Sequence, residues 1–163
     1  MIDKLEIGGV TIAAIALLGW SGYSIANTFI PQPETPVYVM ADGRHFWRVI
    51  DNLMNNICKY AQPGTRVYVD LRENGGQVEL IFRNTSRYPL NISSEELMER
   101  FVRGDESRNT EGSGLGISIA KSLMELMGGS FMLYVDGDLF KVVLGFAQIA
   151  EEKEPLNEDE SGK

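Results

Sequence analysis

A chain of 163 residues has room for one domain with a substantial core and not for two. Apolar residues make up 44% and charged residues 23%, proportions that exclude a globally disordered protein. The net charge is −8 and no Lys/Arg cluster offsets it, which argues against a nucleic-acid partner; single Cys58 and single His45 exclude an internal disulfide, a multi-cysteine zinc site and an HExxH motif.

From Ile7 to Pro33 there is no Asp, Glu, Lys or Arg. At ~1.5 Å per residue, Ile7 to Ile30 is long enough to cross a hydrocarbon core of ~30 Å. Val10 to Leu18 is strongly apolar, but Gly19, Ser21, Gly22, Ser24, Asn27 and Thr28 dilute the second half. Its flank, Met1 to Glu6, is not basic and no small-residue cleavage pattern follows, so a secretory signal fits poorly. Three readings stay open: a membrane anchor, an apolar hairpin packed on the domain, or a start region poorly matched to the fold. If the segment spans, the N-terminus lies outside and Arg44 and Arg48 agree with positive-inside. Pro31 to Pro36 reads as a linker, so residues 1–35 are set apart from a domain over 36–149.

Val37 to Met40 is a short β-rich run. Residues 42 to 61 then predict an amphipathic helix: Phe46, Val49, Ile50, Leu53, Met54 and Ile57 recur at spacings of three and four, Asp42 can cap it, and Pro63-Gly64 stops it. Arg66 to Leu71 and Gln77 to Phe82 alternate as strands joined by the turn signal Glu73-Asn74-Gly75-Gly76. Asn84 to Ile92 looks irregular. A short helix from Ser94 to Phe101 is opened by Ser93-x-x-Glu96 or Ser94-x-x-Leu97. Arg103 to Glu111 is almost without apolar residues and reads as a mobile segment. Gly112-Ser113-Gly114-Leu115-Gly116 runs into a further helix carrying Ile117, Ala120, Leu123, Met124 and Met127, ended by Gly128-Gly129. Strands Phe131 to Val135 and Leu139 to Phe146 flank Asp136-Gly137-Asp138. After Ala150 six acids face two lysines, so residues 150–163 read as an acidic, disordered tail. This order predicts an α+β domain, one mixed or antiparallel sheet with helices on one face.

Two features carry chemistry. On the helix over 42–61, Asn52, Asn56 and Lys59 project within roughly a 60° sector beside the apolar stripe. An amide oxygen is a hard ligand for Mg²⁺, which shares its sphere with phosphate oxygens, and a lysine one turn on can neutralise a phosphate. A solvated face with two asparagines is the plainer alternative, although asparagine is a poor helix former. The glycine run, followed by a helix, lets backbone N–H groups converge on an anion. No Lys-Ser/Thr follows it, so it is no Walker A motif, and no strand precedes it, so it is no dinucleotide fingerprint. A flexible hinge is its alternative.

In combination these residues resemble the ATP-binding catalytic domain of bacterial sensor histidine kinases, in the superfamily shared with gyrase and heat-shock chaperone ATPases, over Pro36 to Ala147. Asn52-Leu53-Met54-Asn55-Asn56-Ile57-Cys58-Lys59-Tyr60 resembles the N box, Glu99-Arg100-Phe101-Val102-Arg103-Gly104-Asp105 the F box, and Gly112-Ser113-Gly114-Leu115-Gly116 the G2 box. The resemblance implies a two-layer α/β sandwich of one mixed, mostly antiparallel sheet with helices on one face. It implies ATP and Mg²⁺ as cofactors. Asn56 would hold the metal, and Asn52 would sit near the metal-bound triphosphate. Related ATPases place a glutamate there as base; an amide cannot take that proton, which suits transfer to a protein side chain. Lys59 would touch phosphate and Tyr60 would border the nucleotide. Phe101 belongs to the F box; Arg103 and Arg108 could reach the terminal phosphate, unless they only solubilise the lid. Gly112, Ser113, Gly114, Leu115 and Gly116 would cradle the triphosphate.

Two departures stand out. The G1 box of the family reads Asp-x-Gly-x-Gly; here Asn84 stands where the aspartate would be, with no glycine after it. Its carbonyl could accept from the adenine amino group while its NH₂ donates to a ring nitrogen. Further, His45 lies inside the nucleotide-domain helix, and no acceptor-histidine hairpin is present. The implied activity is transfer of the ATP γ-phosphoryl group to a histidine supplied in trans by a dimerisation domain, within a two-component system that includes a response regulator. The alternatives are a regulatory module that holds nucleotide without transfer, or an anti-sigma-factor-like serine kinase. Because ATP is cytosolic, the domain would face the cytoplasm.

Overall fold

The computed structural model describes residues 3–6, 28–29, 37–103 and 115–149. The apolar run 7–27, Arg108, Gly112, Ser113, Gly114 and the acidic tail lie outside the described residues.

Among the described residues ten elements follow one another: β1 (Asp3–Glu6), β2 (Thr28–Phe29), β3 (Tyr38–Ala41), α1 (Gly43–Tyr60), β4 (Val67–Asn74), β5 (Gln77–Thr85), α2 (Ser94–Arg103), α3 (Gly116–Leu126), β6 (Ser130–Asp136) and β7 (Leu139–Ile149). The strands form one sheet in the order β1-β3-β7-β5-β4-β2, with β6 also pairing β7. β2 runs parallel to β4, and the other pairs are antiparallel. The expected mixed, mostly antiparallel sheet is therefore present.

α1 starts where the Asp42 carboxylate accepts from the N–H groups of Arg44 at 2.9 Å and His45 at 3.1 Å, satisfying two of the donors a helix start leaves open. Its buried stripe is Phe46, Val49, Ile50, Leu53, Met54 and Ile57. This stripe packs with α3 on the face of the sheet formed by Val67 and Val69, Val78, Leu80 and Phe82, and Phe140, Val142, Leu144 and Phe146. Phe46 meets Phe146 edge to face, with ring centroids 5.5 Å apart. α2 opens on the Ser93 box: the hydroxyl accepts from the Glu96 N–H at 3.1 Å. α3 ends in a Schellman turn, with Gly128 N–H on the Glu125 carbonyl at 3.0 Å and Gly129 N–H on the Met124 carbonyl at 2.9 Å. Gly128 takes φ +75°, which an L side chain resists.

The β4–β5 hairpin turns on Gly75 and Gly76, both at positive φ (58° and 80°), the geometry of a primed turn. Both strands outrun their apolar alternation. Asn84 and Thr85, expected in an irregular stretch, still pair with Phe140 and Leu139 of β7. Alternation marks where one face is buried; the ladder of N–H and C=O groups continues past it. No helix among the described residues is long and apolar enough to cross a membrane.

Candidate nucleotide site

Helical spacing sets Asn52, Asn56 and Lys59 along one side of α1, beside the stripe that fastens the helix to the sheet. Asn52 and Asn56 are half-buried, Lys59 is exposed and Tyr60 is half-buried. The Asn52 Nδ2 donates to the Arg48 carbonyl at 2.9 Å, one turn back. Its Oδ1 faces Gly116: a Cβ placed on that glycine would lie 3.2 Å from it. The asparagine of the helix and the last glycine of the loop therefore meet directly. Leu115 occupies the cap position of α3 without a side-chain cap hydrogen bond. Its carbonyl accepts from the Ile119 N–H at 2.9 Å and the Ser118 hydroxyl at 2.8 Å, which secures the first turn. The head of α3 thus stands beside Asn52, and its dipole favours an anion there.

The far end of α1 is stitched to the end of β5. Gln62 N–H donates to the Thr85 carbonyl at 2.8 Å, Arg87 N–H donates to the Tyr60 carbonyl at 2.7 Å, and Ala61 bridges Ser86. These bonds bring Asn84 beside the Tyr60 end of the helix. Asn84 is only 4% exposed. Its Nδ2 donates to the Thr85 carbonyl at 3.2 Å, and its Oδ1 has no hydrogen-bond partner among the described residues. An orphaned buried acceptor costs roughly 1–3 kcal/mol. On the opposite face of β5, Arg83 is paired with Asp70 and lies over the Tyr68 ring.

The other expected residues divide by location. Phe101 and Arg103 lie in the last turn of α2. Arg108, Gly112, Ser113 and Gly114 fall outside the described residues, and Leu115 and Gly116 are half-buried at the head of α3. His45 is half-buried on α1, its Nδ1 3.9 Å from the Asp42 carboxylate. Among the described residues no group of three or more His, Cys, Asp or Glu could hold a metal. A metal at this site would need oxygens from the nucleotide beside an Asn56 amide oxygen, a donor set that suits Mg²⁺. The Thr85 carbonyl and Gln62 N–H were not foreseen. Both act through the backbone, which side-chain identities do not signal.

Residues 41–155 match the family described as histidine kinase-, DNA gyrase B- and HSP90-like ATPase. The chain is 29% identical over 161 residues to the sensor protein KdpD of Escherichia coli, covering 96% of this chain and 18% of that protein. It is 34% identical over 110 residues to the probable sensor protein PcoS of Escherichia coli, covering 65% of this chain and 24% of that protein. It thus spans about a quarter or less of these relatives. Among solved structures, the catalytic domain of the histidine kinase ThkA superposes with a TM-score of 0.72 at 17% identity, covering 91% of this chain and 96% of that one. The mycobacterial sensor histidine kinase MprB gives 0.68 at 20% identity, covering 91% of this chain and 98% of that one. With the fold and more than half of the chain matched, the protein belongs to the histidine kinase-, DNA gyrase B- and HSP90-like ATPase family.

Proposed function

We propose that residues 36–149 bind ATP·Mg²⁺ and transfer its γ-phosphoryl group to a histidine of a separate dimerisation domain, from which a response regulator receives it. The observation that carries this reading is the meeting of Asn52 with Gly116, which joins the amide-and-lysine side of α1 to the head of α3. Such a junction offers carboxamides, one cation and helix-start N–H groups to a single triphosphate. Asn56 would hold the metal, which when bound offsets phosphate charge. Lys59 would neutralise a phosphate, and Arg103, Arg108 and the glycines Gly112, Gly114 and Gly116 would close over the tail. Phe101, Tyr60, Ser113 and Leu115 would border the nucleotide.

Catalysis then rests on positioning and charge neutralisation, since phosphoryl transfer asks little covalent chemistry of the protein. Asn52 holds an amide where a general base would activate water, so ATP persists until an acceptor nitrogen arrives. The imidazole nitrogen then forms its bond to phosphorus as the bond to the ADP oxygen breaks. ATP places the domain on the cytoplasmic side; a single membrane crossing by residues 7–30 is not kept, because it would part β1 from β2, and both pair within the one sheet.

The test is incubation with γ-labelled ATP, magnesium and the isolated acceptor hairpin of a sensor kinase. Label is expected on the acceptor histidine and absent with Asn56→Asp or Lys59→Ala. Transfer undiminished in both variants removes those residues from the catalytic role, and label on serine assigns a different kinase class.

A further inference from the structure

The edges of the sheet are not alike among the described residues. β1 is four residues long, and Asp3, Lys4 and Glu6 are charged. β2 has two residues, and β4 beyond its pairing with β2 carries Asp70, Arg72 and Glu73. Short length and charge are common means of keeping an edge from pairing with another chain. β6 has neither. It pairs with β7 alone, residue for residue from Ser130 opposite Gly145 to Asp136 opposite Leu139, without a bulge. From Ser130 to Val135 there is no charge and no proline, and Met132 and Tyr134 are 38% and 46% exposed. The turn into β7 fixes which backbone groups look outward. Asp136 and Leu139 close a two-residue turn whose first residue, Gly137, takes φ +60°, and the closing pair of such a turn exchanges both backbone hydrogen bonds. Pairs alternate from there. Asp136, Tyr134, Met132 and Ser130 bond to β7, while the N–H and C=O groups of Val135, Leu133 and Phe131 face away from it. On that side they meet no backbone partner among the described residues.

We propose that this edge is a contact between two copies of the chain, β6 pairing antiparallel with β6 of a second copy about a two-fold axis at Leu133. In that register Leu133 faces the partner's Leu133 and Phe131 faces the partner's Val135, with two hydrogen bonds at each pair. Every outward N–H and C=O of the three residues is then used. Sliding the partner by two residues either way leaves one of the three unpaired, so the strand itself selects the register. On the open face of the sheet Met132 comes opposite the partner's Tyr134, a sulfur–aromatic contact. Within the strand the Tyr134 hydroxyl already donates to the Met132 Sδ at 3.3 Å. Ser130 comes opposite the partner's Asp136, so the strand's one charge meets a hydroxyl donor and not a like charge. The two-fold closes the pairing at two copies, because each β6 has a single open edge. A strand pair of this length buries less than the roughly 1,600 Å² of a standard interface, so the dimer is weak and depends on concentration. Asn52, Asn56, Lys59 and Gly116 all lie off β6, and the inference stands apart from the nucleotide-binding reading.

Sedimentation of the full chain tests this, with melting curves confirming that every variant is folded. The parent is expected to be monomeric at about 5 µM and mostly dimeric at about 500 µM. Met132→Glu with Tyr134→Glu changes only exposed side chains and sets carboxylates opposite carboxylates; it is expected to weaken the dimer about tenfold or more. Leu133→Pro removes an outward N–H and no bond to β7, and is expected to remain monomeric at every concentration. The register has its own readout in a Cys58→Ser background. Chains carrying Met132→Cys, mixed with chains carrying Tyr134→Cys, are expected to form a disulfide on oxidation. Met132→Cys alone is not, since its two copies lie diagonally, beyond the ~7 Å that a disulfide spans between Cα atoms. A parent that stays monomeric at about 500 µM overturns the proposal. So does a dimer that both the paired Glu variant and Leu133→Pro leave intact, which would put the contact elsewhere. Cross-linking as complete in Met132→Cys alone as in the mixture overturns it too.

Discussion

Gly116 is the residue on which the two halves of the site touch. It lies at the first position of α3, where alanine is the better helix former by about 0.5–1 kcal/mol. Yet its added methyl would stand 3.2 Å from the Asn52 Oδ1, closer than ordinary contact. The side chain that must give way is held by its Nδ2 bond to Arg48. Gly116→Ala is therefore expected to leave the melting temperature equal or slightly higher while weakening ATP binding severalfold. Stability and affinity moving in opposite directions is the signature. A variant that binds ATP as the parent does would show that the Asn52 carboxamide plays no part in the pocket. Sequence alone marked both residues, Asn52 because asparagine is a poor helix former and Gly116 as the last glycine of a run that leads into a helix. It did not mark their contact, which depends on how α1 and α3 pack. Nor did it mark the Thr85 oxygen, since every residue carries the same carbonyl.

The helices and strands were legible where burial imposes a period. The stripe of α1 and the alternation of β4 and β5 each bury one face, so side-chain order reports them directly. The ends of strands were not, because Arg72 to Asn74 and Arg83 to Thr85 are held by backbone pairing whatever their side chains. At α2 the Ser93 box was one of two expected starts, and the structure selects it through the Glu96 N–H. Glu95, in the first turn, is held below its ordinary carboxyl pKa by a hydrogen bond from its own N–H and by the Ser93 hydroxyl. A depressed folded pKa means that the unfolded chain takes up the proton first as pH falls. The stabilisation is thus complete above the ordinary carboxylate range and drains away as pH drops through the folded value. On moving from about pH 6 to about pH 3, Glu95→Gln is expected to lose less melting temperature than the parent. Equal losses would show that the carboxylate contributes nothing to α2.

At the scale of the whole molecule, β7 is the spine: β5 pairs along most of its length on one side, and β6 and β3 share the other. β1 closes the edge beyond β3, and β2 closes the edge beyond β4. The two outermost strands therefore come from residues 1–35, the stretch that composition set apart, although every element of the site lies after residue 35. This separates edge protection from ligand binding. A variant lacking residues 1–35 would uncover the free N–H and C=O groups of β3 and β4, which favours edge-to-edge association. It is expected to melt at a lower temperature and to self-associate at high concentration, yet to bind ATP within about threefold of the full chain, since binding and edge pairing share no residue. ATP at about 100 times its dissociation constant should add roughly 2.7 kcal/mol to both forms, so the two melting curves should shift upward together. A shortened chain that keeps its fold but loses ATP would place part of the pocket within residues 1–35 and move the boundary of the binding unit.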